Sequence, residues 1–423
     1  MERKTRTILF LIFTLLFFLV SPLIIFYSLG YRLDFENKKI AKTGGLFLKI
    51  FPKQTQVYLD NKSIKKTDFI FGSVLIENLL PKNYMVRAEK KGYFPWEKFL
   101  EIKEGEVTEA KEVILFPKNP EFEILLTEVK NFWISPDGRK IISQKTEEDG
   151  WSLKFYDPER KIERGLINEK EINQKGATLM NLDFSRDLNE INLEVEIEEK
   201  LKIFSILLNE TPPFLREKEL EKLPFDVIAF QKTESNIYYL DNFGFVFKTD
   251  ISLREILRLN REAFSIKDGM EYKLIIFGDW VFLKEGNCLY YLNFEFNSFE
   301  KLFGEISNLK ISPDNKNLVV FSDSEIWVVF LEEKSDQPRK KAGEKIFITR
   351  LSEKIEDVFW IGPNYLVFNS GNKIKICEID DRDKINIYDF GKFEAQKIFW
   401  NELNKKLYVL IGEELFTSEK LLP

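Results

Sequence analysis

The chain has 423 residues, which is too long for one ordinary core and predicts two or three structural units or one large repeat fold. Its 63 basic and 69 acidic residues give a net charge of −6, so the sequence provides no general basic field for nucleic acid, and we expect no nucleic-acid partner. The sequence contains no histidine, which excludes Ser-His-Asp and Cys-His relays and histidine-ligated zinc.

Short motifs that carry common chemistry are also missing from the sequence: a G-x-S-x-G nucleophile elbow, a P-loop and an acidic calcium loop. We therefore predict no catalytic, cofactor-binding or metal-binding residues. Cys288 and Cys377 each lie inside an apolar, strand-like run, which favours buried small hydrophobes over a disulfide or a reactive thiol.

The N-terminal region carries an uncharged apolar run over residues 8–29. As a helix rising 1.5 Å per residue, these 22 residues span roughly 33 Å, enough to cross a hydrocarbon core of about 30 Å. Three basic residues precede the run, so the positive-inside rule places residues 1–7 in the cytoplasm and the bulk of the chain outside the cell membrane. We predict an uncleaved single-pass anchor in membrane lipid, with a cleaved signal peptide as the alternative.

Residues 30–43 are predicted to be a linker, and residues 44–117 a small β-sandwich. In the second segment, short alternating runs such as "TQVYL" and "NYMVR" are separated by proline and glycine, and no segment of helical period interrupts them. The residues expected inside the sandwich are Leu46, Leu48, Val57, Leu59, Val86 and Tyr93.

The stretch "PKQTQVYLDNK", followed by "IENLLPKNYMVRAEKKGY" and "EIKEGE", resembles a PEGA domain. The matching positions are Pro52, Val57, Leu59, Asp60, Lys62, Leu80, Pro81, Val86, Lys91, Gly92 and Tyr93. Lys53-Gln54-Thr55 departs from the Glu-Gly-Ala of that family, and Asn61 and Lys82 replace turn glycines, although asparagine tolerates positive φ. The resemblance implies an exported surface or envelope module with no known catalytic residues.

From residue 118 to 423 the chain repeats one pattern, a short apolar strand, a polar turn and a second strand. Seven copies follow one another at a mean spacing of about 44 residues, and periods of about 40–45 residues with four strands each are typical of propeller blades. We predict a seven-bladed β-propeller, with six or eight blades as alternatives. The fold class predicted for the whole chain is therefore all-β with one N-terminal transmembrane helix.

Two of the repeats, "ISPDGRK" and "ISPDNKN", resemble the strand-turn-strand signature of TolB-like and WD-type propellers. Serine and aspartate can bond the turn backbone, and Gly138 or Asn315 accepts a positive φ. The last repeat has room for only three strands, whereas residues 121–129 precede the first repeat without a partner. We predict that this segment pairs with "ELFTSE" and closes the ring.

Three tryptophans and two charged segments are candidates for a binding role. Trp133, Trp360 and Trp400 fall at equivalent points of the innermost strands, where packing between blades is favoured over a ligand-stacking ring. Residues 331–345 and 209–222 are interpreted as solvated loops, the second with a helical turn, rather than as binding arms.

Adjacent carboxylates are the remaining candidates for chemistry. Glu147-Glu148 and Asp380-Asp381 have the residue types that glycoside hydrolysis requires. Among 69 acidic residues such pairs are expected by chance, so we assign them no catalytic role.

Two function classes stay open at this point. The first is a membrane-anchored, extracytoplasmic binding or scaffold protein of the cell envelope, whose sandwich and propeller surfaces bind an envelope protein or glycan without catalysis. The alternative is an extracytoplasmic propeller enzyme, a carboxylate-based hydrolase or lyase. The lack of histidine and of any nucleophile motif favours the first class.

Overall fold

The computed structural model describes residues 3–35, 37–148, 150–172, 176–198, 200–218 and 226–422. By its internal contacts the chain divides into two compact units. Unit 1 comprises Met1–Pro120, Glu333–Lys341 and Ile376–Phe390. Unit 2 comprises Glu121–Glu332, Ala342–Lys375 and Gly391–Pro423. Unit 1 therefore contains two segments that are distant in sequence from residues 44–117.

The N-terminal helix α1 runs from Arg3 to Ser28 and includes Pro22. Its part from Thr5 to Ser28 is long and apolar enough to cross a membrane, and its apolar stretch is not covered by the rest of unit 1. Strands β1 (Tyr31–Asp34) and β2 (Lys39–Lys42) follow directly and pair as an antiparallel hairpin. The segment predicted to be a linker is thus an ordered hairpin.

Seven strands of unit 1 form two sheets. The strands are β3 (Gly44–Phe51), β4 (Gln56–Leu59), β5 (Lys62–Lys66), β6 (Ser73–Leu79), β7 (Asn83–Glu89), β8 (Trp96–Glu101) and β9 (Val107–Ile114). One sheet has the order β6-β3-β9, in which β9 is parallel to β3, and the other has the order β5-β4-β7-β8. Alternate side chains of both sheets meet in one apolar core, as expected for a sandwich.

The residues predicted to lie inside the sandwich are confirmed. Five are buried in its core, and Tyr93 packs against that core partly exposed. The tight turn between β4 and β5 places Asp60 and Asn61 at φ angles of 47° and 62°. Asparagine therefore supplies the left-handed conformation that glycine commonly supplies in such turns.

Seven four-stranded antiparallel sheets make up the propeller. Six of them are consecutive in sequence: β11 (Asn131–Ile134), β12 (Ile141–Glu147), β13 (Gly150–Asp157) and β14 (Ile162–Asn168); β15 (Thr178–Phe184), β16 (Glu190–Ile197), β17 (Lys200–Leu207) and β18 (Leu215–Lys218); β19 (Val227–Lys232), β20 (Asn236–Asp241), β21 (Val246–Asp250) and β22 (Ile256–Arg258); β23 (Tyr272–Phe277), β24 (Trp280–Glu285), β25 (Cys288–Asn293) and β26 (Ser298–Phe303); β27 (Asn308–Ile311), β28 (Asn317–Phe321), β29 (Glu325–Phe330) and β30 (Lys345–Arg350); β31 (Ile355–Ile361), β32 (Tyr365–Ser370), β33 (Lys373–Glu378) and β34 (Ile387–Lys392). A short 3-10 helix, Glu169–Ile172, follows β14.

The seventh sheet closes the ring, as predicted. It joins β35 (Ala395–Asn401), β36 (Lys406–Ile411) and β37 (Glu414–Ser418) to the early strand β10 (Phe122–Leu126), in the order β10-β37-β36-β35. In the β10–β37 ladder Glu123 lies opposite Thr417, and Ile124 opposite Phe416. The first and last parts of the propeller therefore share one sheet.

The first strand of each blade lies toward the centre of the propeller. Neighbouring first strands contact one another in the pairs β19–β23, β27–β31, β31–β35 and β35–β11, and we call the ring they form the inner ring. The second strands lie deeper in each blade, and every residue of β28 and β32 is buried. This arrangement explains the near-continuous apolar runs "LVVF" and "YLVF", because these strands are covered on both faces.

One charged segment of unit 2 differs from its prediction. Residues 215–218, expected to lie in a solvated loop with a helical turn, form the outer strand β18, paired with β17. Residues 219–222 of that segment lie outside the described residues. Strand pairing at the blade edge places charged side chains in water while the backbone forms a ladder, so a polar composition does not distinguish an edge strand from a loop.

Candidate functional site

The inner ring brings two lysines and an aspartate among aromatic rings. Lys310 on β27 and Asp357 on β31 form an ion pair, with Nζ 2.5 Å from Oδ1. The same ammonium group lies 3.2 Å from the centre of the Phe359 ring. Burial lowers the pKa of Lys310, and the charge of Asp357 opposes that shift.

Lys397, on the first strand of the last blade, is the second lysine of the inner ring. Its Nζ donates to Asn131 Oδ1 and to the carbonyl of Phe132, both at 2.7 Å. It also lies within 5.0 Å of the centres of the Phe132 and Trp133 rings. Burial lowers the pKa of Lys397 to about 8, so the ammonium form still predominates at neutral pH and can attract an anionic group.

The three tryptophans of the inner ring have different surroundings. Trp360 is buried and donates from Nε1 to the carbonyl of Lys310 in the preceding blade, at 2.9 Å. Trp400 is buried and donates to the Glu402 carboxylate at 2.8 Å. Trp133 is partly exposed and packs against the core of the first two blades. Two of the three therefore serve packing and are not free to stack on a ligand.

The adjacent acidic residues lie in two different environments. Asp380 forms a bidentate ion pair with Arg382, whose Nη2 lies 2.6 Å from Oδ2. Burial alone would raise the pKa of Asp380, but this arginine lowers it below its usual value. Glu147 and Glu148 are exposed and line an open cavity of about 800 Å³, whose lining comes from the first blade and from Pro212 and Pro213 of the second.

A buried ion pair in unit 1 was missed by sequence reasoning. The Lys98 side chain on β8 is fully covered, and its Nζ lies 2.8 Å from Oε1 of Glu378. The same Nζ donates to the backbone carbonyls of Asp380 and Lys384 at 2.7 and 2.8 Å. All three donors of the ammonium group therefore have acceptors.

Glu378 is satisfied by neutral donors as well as by Lys98. Trp96 Nε1 donates to its Oε2 at 2.8 Å, and the backbone and side-chain nitrogens of Asn386 donate to its Oε1 at 3.0 and 2.7 Å. Burial raises the pKa of Glu378, and the bonds from Lys98 and Trp96 oppose that shift. Residues 376–390 are thus fastened to strand β8 within unit 1.

The sequence does hold a signal for this pair. In "WEKFLE" the residues Trp96, Lys98 and Leu100 alternate along one strand and share a face, and both neighbours of Lys98 are core residues. A lysine in phase with the apolar face of a strand needs a buried partner. The identity of that partner could not be read from the sequence, because Glu378 lies 280 residues away.

The charged segment 331–345 was predicted to be a solvated loop. Residues 333–341 are a loop with mostly exposed residues, but some of its polar side chains bind within unit 1, which the prediction did not include. Gln337 accepts from the backbone N–H of Glu109 at 3.0 Å and donates to the carbonyl of Val107 at 3.1 Å, so its side-chain amide bonds to edge strand β9. Lys340 is buried and its Nζ lies 2.7 Å from Oδ2 of Asp381. The segment is part of unit 1 because its polar side chains bind there.

Unit 1 also presents one open cavity and one apolar turn. The cavity has a volume of about 660 Å³, and its lining includes Phe99, Lys103 and Arg339. In the turn between β5 and β6, Phe69, Ile70 and Phe71 expose most of their side-chain surface. Three consecutive exposed hydrophobic residues are typical of contact sites.

Asp68 holds this turn in one shape. Its carboxylate accepts hydrogen bonds from the backbone N–H groups of Ile70, Phe71 and Ser73 at 2.8, 2.6 and 2.6 Å, and from the Ser73 hydroxyl at 2.6 Å. These bonds, first that from Phe71, hold the pKa of Asp68 well below its usual value. The exposed aromatic side chains therefore stand on an ordered backbone. We call residues 69–71 the apolar turn.

The cysteines form no disulfide. Cys377 is buried, as predicted, whereas Cys288 is only half-buried at the start of β25. Among the described residues, no three His, Cys, Asp or Glu side chains are grouped so that they could hold a metal ion.

No family model and no curated protein matches the chain. Among solved structures it is similar to the β-propeller domain of Cps50 (Swd1) from Myceliophteria thermophila, with 14% identity and a TM-score of 0.44, over 71% of this chain and 99% of that one. It is also similar to YCF48 from Cyanidioschyzon merolae, with 10% identity and a TM-score of 0.44, over 70% of this chain and 98% of that one. Neither similarity assigns a ligand or an activity.

Proposed function

We propose that the chain is a membrane-anchored, extracytoplasmic binding or scaffold protein of the cell envelope that acts without catalysis. The observation that carries the proposal is the exposed apolar helix Thr5–Ser28, which is followed in the chain by a β-sandwich and a β-propeller. An apolar helix of this length that is not covered by its own protein is stable in a bilayer and not in water. The PEGA resemblance of residues 44–117 supports the same location.

The charge distribution supports an N-terminus in the cytoplasm. Arg3, Lys4 and Arg6 precede the apolar run, whereas the charges that follow it over residues 32–38 are mixed, two basic and two acidic. The positive-inside rule therefore favours export of the units after the helix.

Protease digestion of intact cells tests this topology. With an epitope tag at the N-terminus, we expect protease added outside to remove the bulk of the chain and to leave a short tagged fragment in the membrane. Full protection of the chain would contradict export. A mature chain that begins near Tyr31 and has lost the tag would contradict the uncleaved anchor and would support a cleaved signal.

The apolar turn is the surface of unit 1 that we propose for contact with an envelope protein. Burying three large hydrophobic side chains would contribute several kcal/mol, at about 1.5–3 kcal/mol for each fully buried side chain. Because Asp68 already orders the turn, a partner would lose little of this energy to loop ordering.

Site-specific photo-crosslinking in cells tests this surface. We expect a benzoylphenylalanine at position 71 to give a discrete crosslinked product. The matched control is the same group at Phe243, an exposed aromatic residue in a turn of unit 2. Equal products from both positions, or none from position 71, would contradict a contact at the apolar turn while leaving the topology result unaffected.

A further inference from the structure

The hairpin β1–β2 has two chemically different faces. In its register Tyr31 lies opposite Lys42, Arg32 opposite Ala41, Leu33 opposite Ile40 and Asp34 opposite Lys39. Because side chains alternate along a strand, Leu33 and Ile40 share one face, whereas Asp34 and Ala41 share the other.

Protein covers only one of these faces. Asp34 and Ala41 are 4% and 1% exposed, whereas Leu33 and Ile40 are 61% and 63% exposed. Phe35, two residues after Leu33 and therefore on the same side of an extended chain, is 83% exposed. The open face therefore carries three large apolar side chains, together with the half-buried Tyr31 and the exposed Lys42 at its base. In water the three apolar side chains would be a net cost to folding and solubility.

The covered face is turned toward the sandwich. Arg32, which shares that face, donates from Nη2 to the Asn78 side chain at the end of β6, at 2.8 Å. The base of the hairpin is closed by Thr43, whose backbone N–H and hydroxyl both donate to the Gly30 carbonyl at 2.8 Å. Leu33 and Ile40, on the opposite face, are left open, whereas Lys42 at the base of that face lies beside Gly105 of the sandwich.

The hairpin is also fixed to the end of helix α1. The Arg32 guanidinium lies 3.5 Å from the centre of the Tyr27 ring and donates to the Tyr27 carbonyl at 2.7 Å. Phe26 and Tyr31 pack edge to face, with ring centres 5.6 Å apart. These contacts keep the hairpin from moving freely with respect to the helix.

The distance along the chain restricts where the open face can lie. Only Leu29 and Gly30 separate the helix from β1, and the step from Ser28 to Tyr31 covers at most about 11 Å of extended chain. The polar interfacial layer of a bilayer is about 5–8 Å thick on each side, and tyrosine is enriched in it. A hairpin that starts within this layer, with an open apolar face, matches the mixed environment of that layer.

We propose that the open face of the β1–β2 hairpin lies in the interfacial layer of the bilayer, with Leu33, Phe35 and Ile40 in contact with lipid. The hairpin is then a second membrane contact that fixes the orientation of unit 1 above the surface. This inference rests on the proposed anchoring of α1, so its test must separate the two.

Spin-label depth measurement on the full chain in phosphatidylcholine–phosphatidylglycerol vesicles makes that separation. Cys288 and Cys377 are replaced by serine and valine, and a nitroxide is attached at Phe35→Cys or Ile40→Cys. Two further labels act as references, Phe13→Cys within α1 and Phe243→Cys in an exposed turn of unit 2. The measured quantity is the ratio of collision with oxygen, which concentrates in lipid, to collision with a water-soluble nickel chelate.

We expect a high ratio at position 13, a low ratio at position 243, and ratios at positions 35 and 40 at least severalfold above that at position 243. If position 13 gives as low a ratio as position 243, the anchor proposal fails and the hairpin proposal fails with it. If position 13 gives a high ratio while positions 35 and 40 equal position 243, only the hairpin proposal is overturned. Spin–spin broadening at positions 35 and 40 would assign the face to a second copy of the chain and would also overturn it.

Discussion

At the scale of single residues, the buried pair of Lys98 and Glu378 shows how a charged group can sit inside a small β-sandwich. Removing two charges from water is costly, and the pair persists because every donor and acceptor around it is matched. Such a pair contributes little net stability relative to an apolar pair, but it penalises any arrangement in which one partner is missing. Its role is therefore to specify which segment covers strand β8.

Lys98→Met should destabilise unit 1 by about 3–5 kcal/mol, because Glu378 is left buried without its cation. Urea unfolding of the chain without α1, followed by tryptophan fluorescence, measures this change. Lys103→Met is the matched control: its Nζ lies 4.0 Å from Glu101 and both side chains are mostly exposed, so the expected change is below about 0.5 kcal/mol. In the double variant Lys98→Met/Glu378→Leu we expect part of the lost unfolding free energy to be recovered. Equal destabilisation by Lys98→Met and Lys103→Met would contradict the cost of a buried, unpaired Glu378.

The lowered pKa of Lys397 gives a prediction for pH. The folded state holds this group at a pKa of about 8, below its ordinary value of 10.5, so between these two values the unfolded chain binds more protons than the folded one. Stability contributed by this group therefore rises as pH increases from about 8 to 10.5. Lys397→Met should flatten that part of the stability profile, as measured by urea unfolding at several pH values.

Competitive acylation with mass-spectrometric readout tests the same group directly. The reaction rate at Lys397 should rise with a midpoint near pH 8. Lys354 is the control, because its bond to Glu356 raises its pKa. A common midpoint for the two lysines would contradict the effect of burial on Lys397.

At the scale of elements, three blade turns share one hydrogen-bond pattern. In the first turn the Ser135 hydroxyl donates to Asp137 at 2.5 Å and accepts from the Lys140 N–H at 2.9 Å. Ser312 and Asp314 repeat this pattern in the fifth blade, and Ser185 and Asp187 repeat it in the second. The pattern accounts for the resemblance of "ISPDGRK" and "ISPDNKN" to propeller repeats, and it shows that "FSRDLNE" is a third copy.

The third copy departs from the other two at one position. Where they have Gly138 and Asn315, with φ angles of 71° and 67°, the second blade has Leu188 at 59°. A leucine in the left-handed region costs roughly 1–2 kcal/mol relative to the right-handed one, whereas asparagine is enriched there. Leu188→Asn should therefore raise stability by about 0.5–1 kcal/mol, which thermal unfolding of the chain without α1 can measure.

The reciprocal substitution is the control for that prediction. Asn315→Leu places leucine in the equivalent turn of the fifth blade and should lower stability by a similar amount. Destabilisation by both substitutions would mean that the Leu188 side chain contributes more through packing than its backbone conformation costs, and the prediction would be wrong.

At the scale of the whole molecule, the repeated strand pattern and the pairing of β10 with β37 were predictable, whereas the distant side-chain pairings within unit 1 were not. The seven blades follow from the repeat spacing. The role of β10 follows from counting strands, because the last repeat has only three and β10 has no partner in the first blade. The inclusion of residues 333–341 and 376–390 in unit 1 has no local signal. It depends on Gln337 and Glu378 meeting strands β9 and β8, more than 200 residues earlier in the chain.

These long-range contacts also bear on whether residues 44–117, predicted to be a small β-sandwich, can fold alone. Isolated from the rest of unit 1, that segment would leave Lys98 and Trp96 without their partners. We expect the isolated segment to keep β structure but to melt at a lower temperature than unit 1 does in the chain without α1. A segment carrying Lys98→Met should regain part of the difference, because it no longer holds an unpaired buried charge.

The closing sheet provides the sharpest test at this scale. Strand β10 adds a full backbone ladder to β37, and Leu126 and Val129 are buried in a core shared with the first and last blades. Replacing residues 121–126 with a glycine–serine segment of equal length keeps the connection but removes the strand. We expect a lower melting temperature of the propeller and faster amide exchange at residues 414–418, because β37 becomes an open edge.

A matched replacement of β22, the three-residue outer strand Ile256–Arg258, also exposes an edge but leaves the ring closed, so its effect should be smaller and confined to the third blade. Equal effects of the two replacements would mean that ring closure adds nothing beyond one more strand.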